Sequence, residues 1–412
     1  MEEAKGERMT WEKIRLSELL TSPIQNGYSP ICPERPNGKW ILGLGALKGS
    51  GFDSTQIKPA PINDSKVNDF LLQPGDFLVS RSNTLDKVGR AALFTGQVNN
   101  CAYPDLMMRF RIDESRLYQG FLEMFLRSSE AVRHFQRCAS GTSETMVKIN
   151  KGVLEKLPVP LPPYKEQVAI AELLAIWNCA IEKTERLIAA KDRYLCALYQ
   201  KCFQAGTSMN ASWKSRKLAT YLVARNEKAI PSGDVPLYSL TIENGVTAKT
   251  DRYNRDFLVK DMDSKTYKVV YPGDVVFNPA NLRWGAIARS VVEHKVVISP
   301  IYEVLEIKKD IVDPELLTHA ITCPRQIGIY ATKTEGTLIE RMAVKLDAFL
   351  FTEILLPETL EEQRKIAALL CTARKEIDLL KKQLEAYRQQ KRGLMQKLVT
   401  GQRRVKINTD DD

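Results

Sequence analysis

"LPPYKEQVAIAELL" spans residues 161–174, and "LPETLEEQRKIAALL" spans residues 356–370. An offset of 196 residues lays Glu166-Gln167 on Glu362-Gln363, Ile170 on Ile366, Ala171 on Ala367 and Leu173-Leu174 on Leu369-Leu370. Without a gap it goes on to pair Ile181 with Ile377, Leu198 with Leu394 and Gln200-Lys201 with Gln396-Lys397. One offset held from Glu166 to Lys201 is not chance. The chain contains an internal repeat.

Both copies read as long amphipathic helices. In the second, Ile366, Leu370, Ala373, Ile377, Leu380, Leu384, Tyr387, Lys391, Leu394 and Leu398 follow alternating steps of four and three. Ile170, Leu174, Trp177, Ile181, Thr184, Ile188, Lys191, Leu195, Leu198 and Cys202 keep the same rhythm in the first. Sustained 4-3 spacing is the coiled-coil pattern. Burial in a large globule is the plainer reading of most apolar stripes. Here the stripe is narrow and the flanks are charged ("EKTERLIAAKDR", "ARKEIDLLKKQ"), so a seam between two helices fits better. Thr184, Lys191 and Lys391 interrupt the seam, as register-setting polar residues do. Prolines at 160, 162, 163 and 357 fix where each helix can begin, and neither helix has one inside.

The segments before each helix repeat more loosely. "LLQPGDFLVSRSN" (71–83) matches "VVYPGDVVFNPAN" (269–281), "WEKIRLSELL" (11–20) matches "WKSRKLATYL" (213–222), and Gly141-Thr142 matches Gly336-Thr337. Short Val, Ile, Phe and Tyr runs broken by Gly, Pro and Asn predict strands and turns. In "PGD" the proline presets the backbone and the glycine supplies a positive φ, so a turn feeds a strand. The expected order is a globule at 1–159, a helix at 160–206, a globule at 207–355, a helix at 356–403 and a tail at 404–412. "QAGTSMNAS" (204–212) links the halves.

Composition agrees with an ordinary globular chain: 412 residues, 44% hydrophobic and 27% charged, enough for two or three cores. No apolar run approaches the ~20 residues of a membrane span. The charged start "MEEAKGERMTWEKI" predicts no export signal. Eight cysteines without a C-x-x-C pair argue against a zinc ribbon and for reduced thiols in the cytoplasm. A net charge of +10 favours an anionic partner, most often nucleic acid, although charge alone does not decide this.

Antiparallel pairing of the two helices would set the globules at opposite ends about an approximate two-fold axis. DNA readers match the local two-fold symmetry of the duplex in this way, with half-sites at a fixed spacing. At ~1.5 Å per residue, helices of about forty residues make a ruler of roughly 60 Å.

The chain resembles the specificity subunits of type I DNA restriction-modification systems. "PLPPYKEQVAI" fits the P-L-P-P-x-x-E-Q phrase that opens their spacer helices, and "LLPETLEEQRKI" carries one extra residue before Glu-Gln. "LQPGDFLVSRSN" resembles the central strand of their recognition domains. The resemblance covers nearly the whole chain. It implies an α+β architecture: two α/β target-recognition domains, each followed by a long helix, the helices packed as an antiparallel coiled coil with pseudo-two-fold symmetry. It also implies sequence-specific recognition of a bipartite, asymmetric double-stranded DNA target, with no catalysis in this chain. Two modification subunits using S-adenosylmethionine and two restriction subunits using ATP and Mg would be the partners. No cofactor or membrane is expected for this chain.

Enzymatic readings find little support in the residues. "GLGALKGSG" (43–51) lacks the order of a phosphate-cradling loop and of a dinucleotide fingerprint. "FNPANLRW" (277–284) lacks the second proline and the aromatic of an amino-methyltransferase active-site phrase. His134, His294 and His319 have no ligand spacing. The rivals are a coiled-coil scaffold that binds only proteins and a fused restriction or methyltransferase enzyme.

Base reading needs bidentate guanidinium or amide groups on exposed loops, with hydroxyls and lysines for phosphates. After the first "PGD" strand these are Arg81, Ser82, Asn83, Lys87 and Arg90. After the second they are Asn278, Asn281, Arg283 and Trp284. Gln25, Asn26 and Tyr28 in "PIQNGYSP" are further candidates, as are Lys249 and Arg252 in "TAKTDRYNRD". Thr142, Ser143 and Lys148 in "SGTSETMVKIN" suit phosphates. For any one of them the plainer alternative is a solvated surface side chain.

Overall fold

The computed structural model describes residues 11–49, 51–141, 146–204, 213–248, 266–336 and 342–405. Eight α-helices lie among them: α1 (Gln119–Leu126), α2 (Ser129–Cys138), α3 (Lys151–Glu155), α4 (Tyr164–Phe203), α5 (Pro314–Thr322), α6 (Pro324–Thr332), α7 (Leu346–Leu350) and α8 (Leu360–Val399). The two repeated phrases open α4 and α8, each 40 residues long. No helix among the described residues is long and apolar enough to cross a membrane. The chain divides into two compact units, Met1–Lys183 with Leu384–Asp412, and Thr184–Gln383. Each unit owns one α/β globule and a half of each long helix.

In the first unit, Asp76–Ser80 is one of the two inner strands of a four-stranded antiparallel sheet, and all five of its residues are buried. Gln25–Asn26 and Met107–Phe110 lie on one side of it, Ala91–Phe94 on the other. Strand periodicity divides its side chains between two cores. Phe77 and Val79 join the core with Phe110, Phe121, Phe125 and Phe135. Leu78 points the other way, among Met107, Phe94 and Tyr103. Lys13–Arg15 pairs antiparallel with Pro158–Pro160 and closes the globule just before α4.

The second unit repeats the plan. Val275–Phe277 lies between Glu303–Ile307 and Ile287–Arg289, with Leu222–Ala224 on the outer edge of Glu303–Ile307. Val276 faces a valine-rich core with Val270, Val296, Ile298 and Val304. Phe277 meets Phe349 on the opposite face, ring centroids 4.5 Å apart. Lys214–Lys217 pairs antiparallel with Glu353–Leu356 immediately before α8.

Short helix pairs cover each sheet. Ser128 caps α2 by accepting from the Ala131 N–H. Asp313 caps α5 by accepting from the N–H groups of Glu315 and Leu316, and prolines start both α5 and α6.

The long helices run antiparallel within each unit. In the first, Ile170 and Leu174 of α4 share the main core with Leu398 and Val399 of α8, and Trp177 meets Tyr387 edge-on, with ring centroids 5.8 Å apart. In the second, Lys191 of α4 pairs with Glu376 of α8 at 2.7 Å. Ile170, Leu174, Ile188, Leu195, Leu198, Cys202, Ile366, Leu370, Ile377, Leu384 and Leu398 are buried seam positions. This is the narrow stripe that the 4-3 spacing predicts.

Candidate nucleic-acid interface

Both "PGD" turns are built alike. Gly75 and Gly273 stand at φ +94° and +93°, a region open to glycine at little cost. The aspartate that follows is buried and accepts from the N–H three residues back: Gln73 to Asp76 at 2.8 Å, Tyr271 to Asp274 at 2.9 Å. Arginines neutralise the buried carboxylates, but from different strands. Arg111 holds Asp76 at 2.6 Å and Arg109 flanks it at 3.6 Å. Arg225, after the edge strand, holds Asp274 at 2.8 and 3.2 Å. Burial pushes the Asp274 carboxyl above its ordinary range, and Arg225 opposes that shift.

Each inner strand runs on into a loop, and a second segment joins that loop. In the first unit Ser82–Asn83 pairs with Val147–Lys148, and the Ile149 N–H donates to the Arg81 carbonyl at 2.9 Å. Arg81, Ser82, Asn83 and Lys148 therefore come together. In the second unit Glu335 and Ala343 bridge, and the Val344 N–H donates to the Pro279 carbonyl at 2.9 Å. Asn278, Asn281, Arg283 and Trp284 sit in the adjoining loop. The corresponding segment adds Lys345, which sequence reasoning missed. The Gly141-Thr142 and Gly336-Thr337 match was the signal that could have found it.

The candidates differ in how far the fold already uses them. Arg81 donates to the Asp105 carbonyl at 3.4 Å, while its Nε and the Ser82 hydroxyl are buried without a hydrogen-bond partner among the described residues. Asn83 accepts from the Thr84 N–H at 2.9 Å. Lys87 is exposed, and Arg90 lies 3.8 Å from Asp86. Asn278 caps its own turn by accepting from the Ala280 N–H at 3.0 Å. The Asn281 carbonyl accepts from Trp284 and Ala286. The Arg283 guanidinium lies 4.0 Å from the Trp284 ring centroid. Lys345 pairs with Glu335 at 2.7 Å, and that hydrogen bond raises its ammonium pKa.

"PIQNGYSP" is used mainly inside the fold. Gln25 accepts from Arg109, the arginine beside Asp76. Tyr28 donates to Asp64 at 2.9 Å and stacks on Phe70, with Lys66 over its ring. Asn26 is half-buried and its side-chain oxygen has no partner among the described residues. Thr142, Ser143, Lys249 and Arg252 lie outside the described residues. Among the described residues no three His, Cys, Asp or Glu side chains are placed to hold a metal ion.

The chain is similar to known proteins. The family model for the type I restriction modification DNA specificity domain matches residues 9–190. The specificity subunit of the type I restriction enzyme EcoKI from Escherichia coli (strain K12) is 28% identical over 211 residues, covering 50% of this chain and 44% of that one. The putative MjaX specificity subunit from Methanocaldococcus jannaschii is 22% identical over 424 residues, covering 96% of this chain and 94% of that one. Among solved structures, the S subunit of a type I restriction-modification system from M. genitalium superposes with a TM-score of 0.59 at 14% identity. It covers 96% of this chain and 97% of its own, and so shares the fold.

Proposed function

The chain belongs to the type I restriction-modification specificity subunits, and on that premise we propose that it reads a bipartite, asymmetric sequence in double-stranded DNA. One half-site falls to each α/β globule, with recognition domains at 1–159 and 207–355, spacer helices at 160–206 and 356–403, and a tail at 404–412. The chain is a non-catalytic subunit. Adenine methylation with S-adenosylmethionine and ATP- and Mg-dependent cleavage belong to two modification and two restriction subunits assembled around it, in the cytoplasm.

One observation carries the reading. The loop after the inner strand is tied to a later segment in both units, Ile149 to Arg81 and Val344 to Pro279, with different side chains around the tie: Arg81, Ser82, Asn83 and Lys148 in one copy, Asn278, Asn281, Arg283 and Trp284 in the other. A shared frame with unlike contents suits a target whose two halves differ. Guanidinium and amide groups are the side chains that discriminate guanine and adenine in the major groove.

Modified-base sequencing of the host genome, with and without this gene, tests the proposal. A bipartite adenine-methylation motif should vanish on deletion. Arg81→Ala and Arg283→Ala should each cost about 1–3 kcal/mol of binding and relax opposite halves of that motif. An unchanged methylome on deletion would refute the reading.

A further inference from the structure

Trp284 is a large apolar side chain left 59% exposed in the middle of a polar, basic loop. Its backbone is well anchored. Leu282, two residues before, is completely buried, and the Trp284 N–H donates to the Asn281 carbonyl at 3.0 Å. Gly285 follows at φ +91° and donates to the Leu282 carbonyl at 2.9 Å, and the Ala286 N–H returns to Asn281 at 3.2 Å. At its other end the loop is tied down by the Val344 N–H on Pro279. An exposed indole on a mobile loop would be unremarkable surface. This one is held out by a turn whose own apolar residue is in the core.

The chemistry of the loop favours one class of partner. The stretch from Asn278 to Ala286 contains no acidic residue, and Arg283 stacks on the indole at 4.0 Å. A cationic, flat aromatic unit suits a polyanion with stacked π-faces better than an apolar protein surface. Bulky apolar side chains that enter between base pairs partly unstack them, and pyrimidine–purine steps yield at least cost. The loop in the same place of the first unit has no aromatic residue. It exposes Leu85 instead, at 46%, beside an acidic Asp86.

We propose that Trp284, backed by Arg283, enters the DNA as a wedge at one base-pair step of the second unit's half-site and selects a deformable pyrimidine–purine step there. This rests on the DNA-reading function proposed above and adds a mode of readout, by deformability rather than by hydrogen bonds to base edges. Arg283 keeps its base-reading role beside the opened step, its guanidinium stacked on the indole.

The test selects bound duplexes from a random library with the full chain in its assembled complex, for wild type, Trp284→Ala and Trp284→Phe. Wild type should enrich a bipartite motif with a pyrimidine–purine step in one half. Trp284→Ala should lose preference at that step alone and bind the selected duplex roughly tenfold more weakly, while Trp284→Phe keeps most of both. With 2-aminopurine placed at the step, wild type should raise the fluorescence and Trp284→Ala should not. Because the side chain is exposed, both variants should melt with wild type. An unchanged motif and affinity in Trp284→Ala would overturn the wedge, as would a uniform loss of affinity with the step preference intact, or a 2-aminopurine signal that wild type leaves quenched. A wild-type selection without any motif would instead refute the DNA-reading function, and the wedge with it.

Discussion

Gln167 and Gln363 perform the same task in their respective units. The Gln167 side-chain oxygen accepts from the Tyr118 N–H at 2.7 Å, and its amide donates to the carbonyls of Pro162 and Arg116 at 2.9 and 3.0 Å. Gln363 accepts from the Asp313 N–H at 2.7 Å and donates to Pro357 at 2.9 Å and Ile311 at 3.5 Å. Tyr118 and Asp313 are the N-cap residues of α1 and α5. Each glutamine thus binds the first turn of a long helix to the segment that starts its globule's helix pair. The repeated phrase is the joint between globule and helix.

Gln167→Ala should therefore destabilise the first unit by about 2–3 kcal/mol, because it strands a buried N–H and two carbonyls. Gln363→Ala should do the same to the second unit, somewhat less, since one of its bonds is long. Urea titrations of the full chain measure both. A loss below about 0.5 kcal/mol would show that water replaces the amide and that the joint does not depend on it.

The acidic residue of the phrase has diverged between the copies. Glu166 is buried and receives both ends of the Arg404 guanidinium at 2.6 Å, while Glu362 accepts from the Trp213 indole N–H at 3.0 Å. In the first unit the matching indole, Trp11, lies under Arg404 instead, 5.4 Å away. Removing Arg404 leaves a buried carboxylate unpaired, normally a loss of about 3–5 kcal/mol. Arg404 is 42% exposed, so water compensates in part and about 2 kcal/mol is expected for Arg404→Ala. Glu166→Gln in the same background should recover stability by removing the stranded charge. A double variant no more stable than Arg404→Ala would contradict that account.

How much of this was legible in the sequence depends on how far apart the partners lie. The long helices and their seam were readable because 4-3 periodicity is a local pattern, and the two PGD turns because proline and glycine act on their own backbone. The short helices α1, α2, α5 and α6 were not singled out, since eight to ten residues give little periodicity. Ser128, Asp313-Pro314 and Pro324 were their local signals. The ion pairs of the buried aspartates were hidden for another reason: Arg111 and Arg225 come from different strands, so no constant offset relates them. Arg404 stood in a segment read as a tail, 238 residues from the glutamate it clasps. At the candidate interface, composition nominated the loops, and Gln25 and Tyr28 were nominated with them because their partners Arg109 and Asp64 lie 84 and 36 residues away.

Burial works against the charge of the seam lysine in the first unit. Lys391 is half-buried, and burial lowers its ammonium pKa, with Arg127 adding to the shift and Glu123 opposing it. Lys391→Leu should stabilise the full chain by about 0.5–1 kcal/mol, a modest gain because solvent already screens part of the charge. Lys191, paired with Glu376, should behave differently, and Lys191→Leu should be neutral or slightly destabilising. Thermal melts of the two variants separate these cases. A lower melting temperature for Lys391→Leu would mean that Glu123 outweighs both burial and Arg127.

His319 makes the second unit sensitive to acid. Tyr199 of α4 hydrogen-bonds its Nδ1 at 2.9 Å and Cys371 of α8 lies 3.4 Å from its Nε2. Burial pushes the imidazole down to about 4 from its ordinary 6.5, Arg374 and Arg289 push the same way, and Glu315 on its own helix opposes them. The folded protein therefore holds His319 neutral where the unfolded chain has already taken up a proton. Its contribution is complete above pH 6.5 and drains away as the pH falls toward about 4, a total of about 3 kcal/mol. His319→Gln retains an amide in the gap but cannot titrate. Wild type should lose stability faster than this variant between about pH 7 and pH 4.5 in urea unfolding, and the two curves should run parallel above about pH 7. Parallel curves over the whole range would mean that the imidazole is protonated without cost inside the fold.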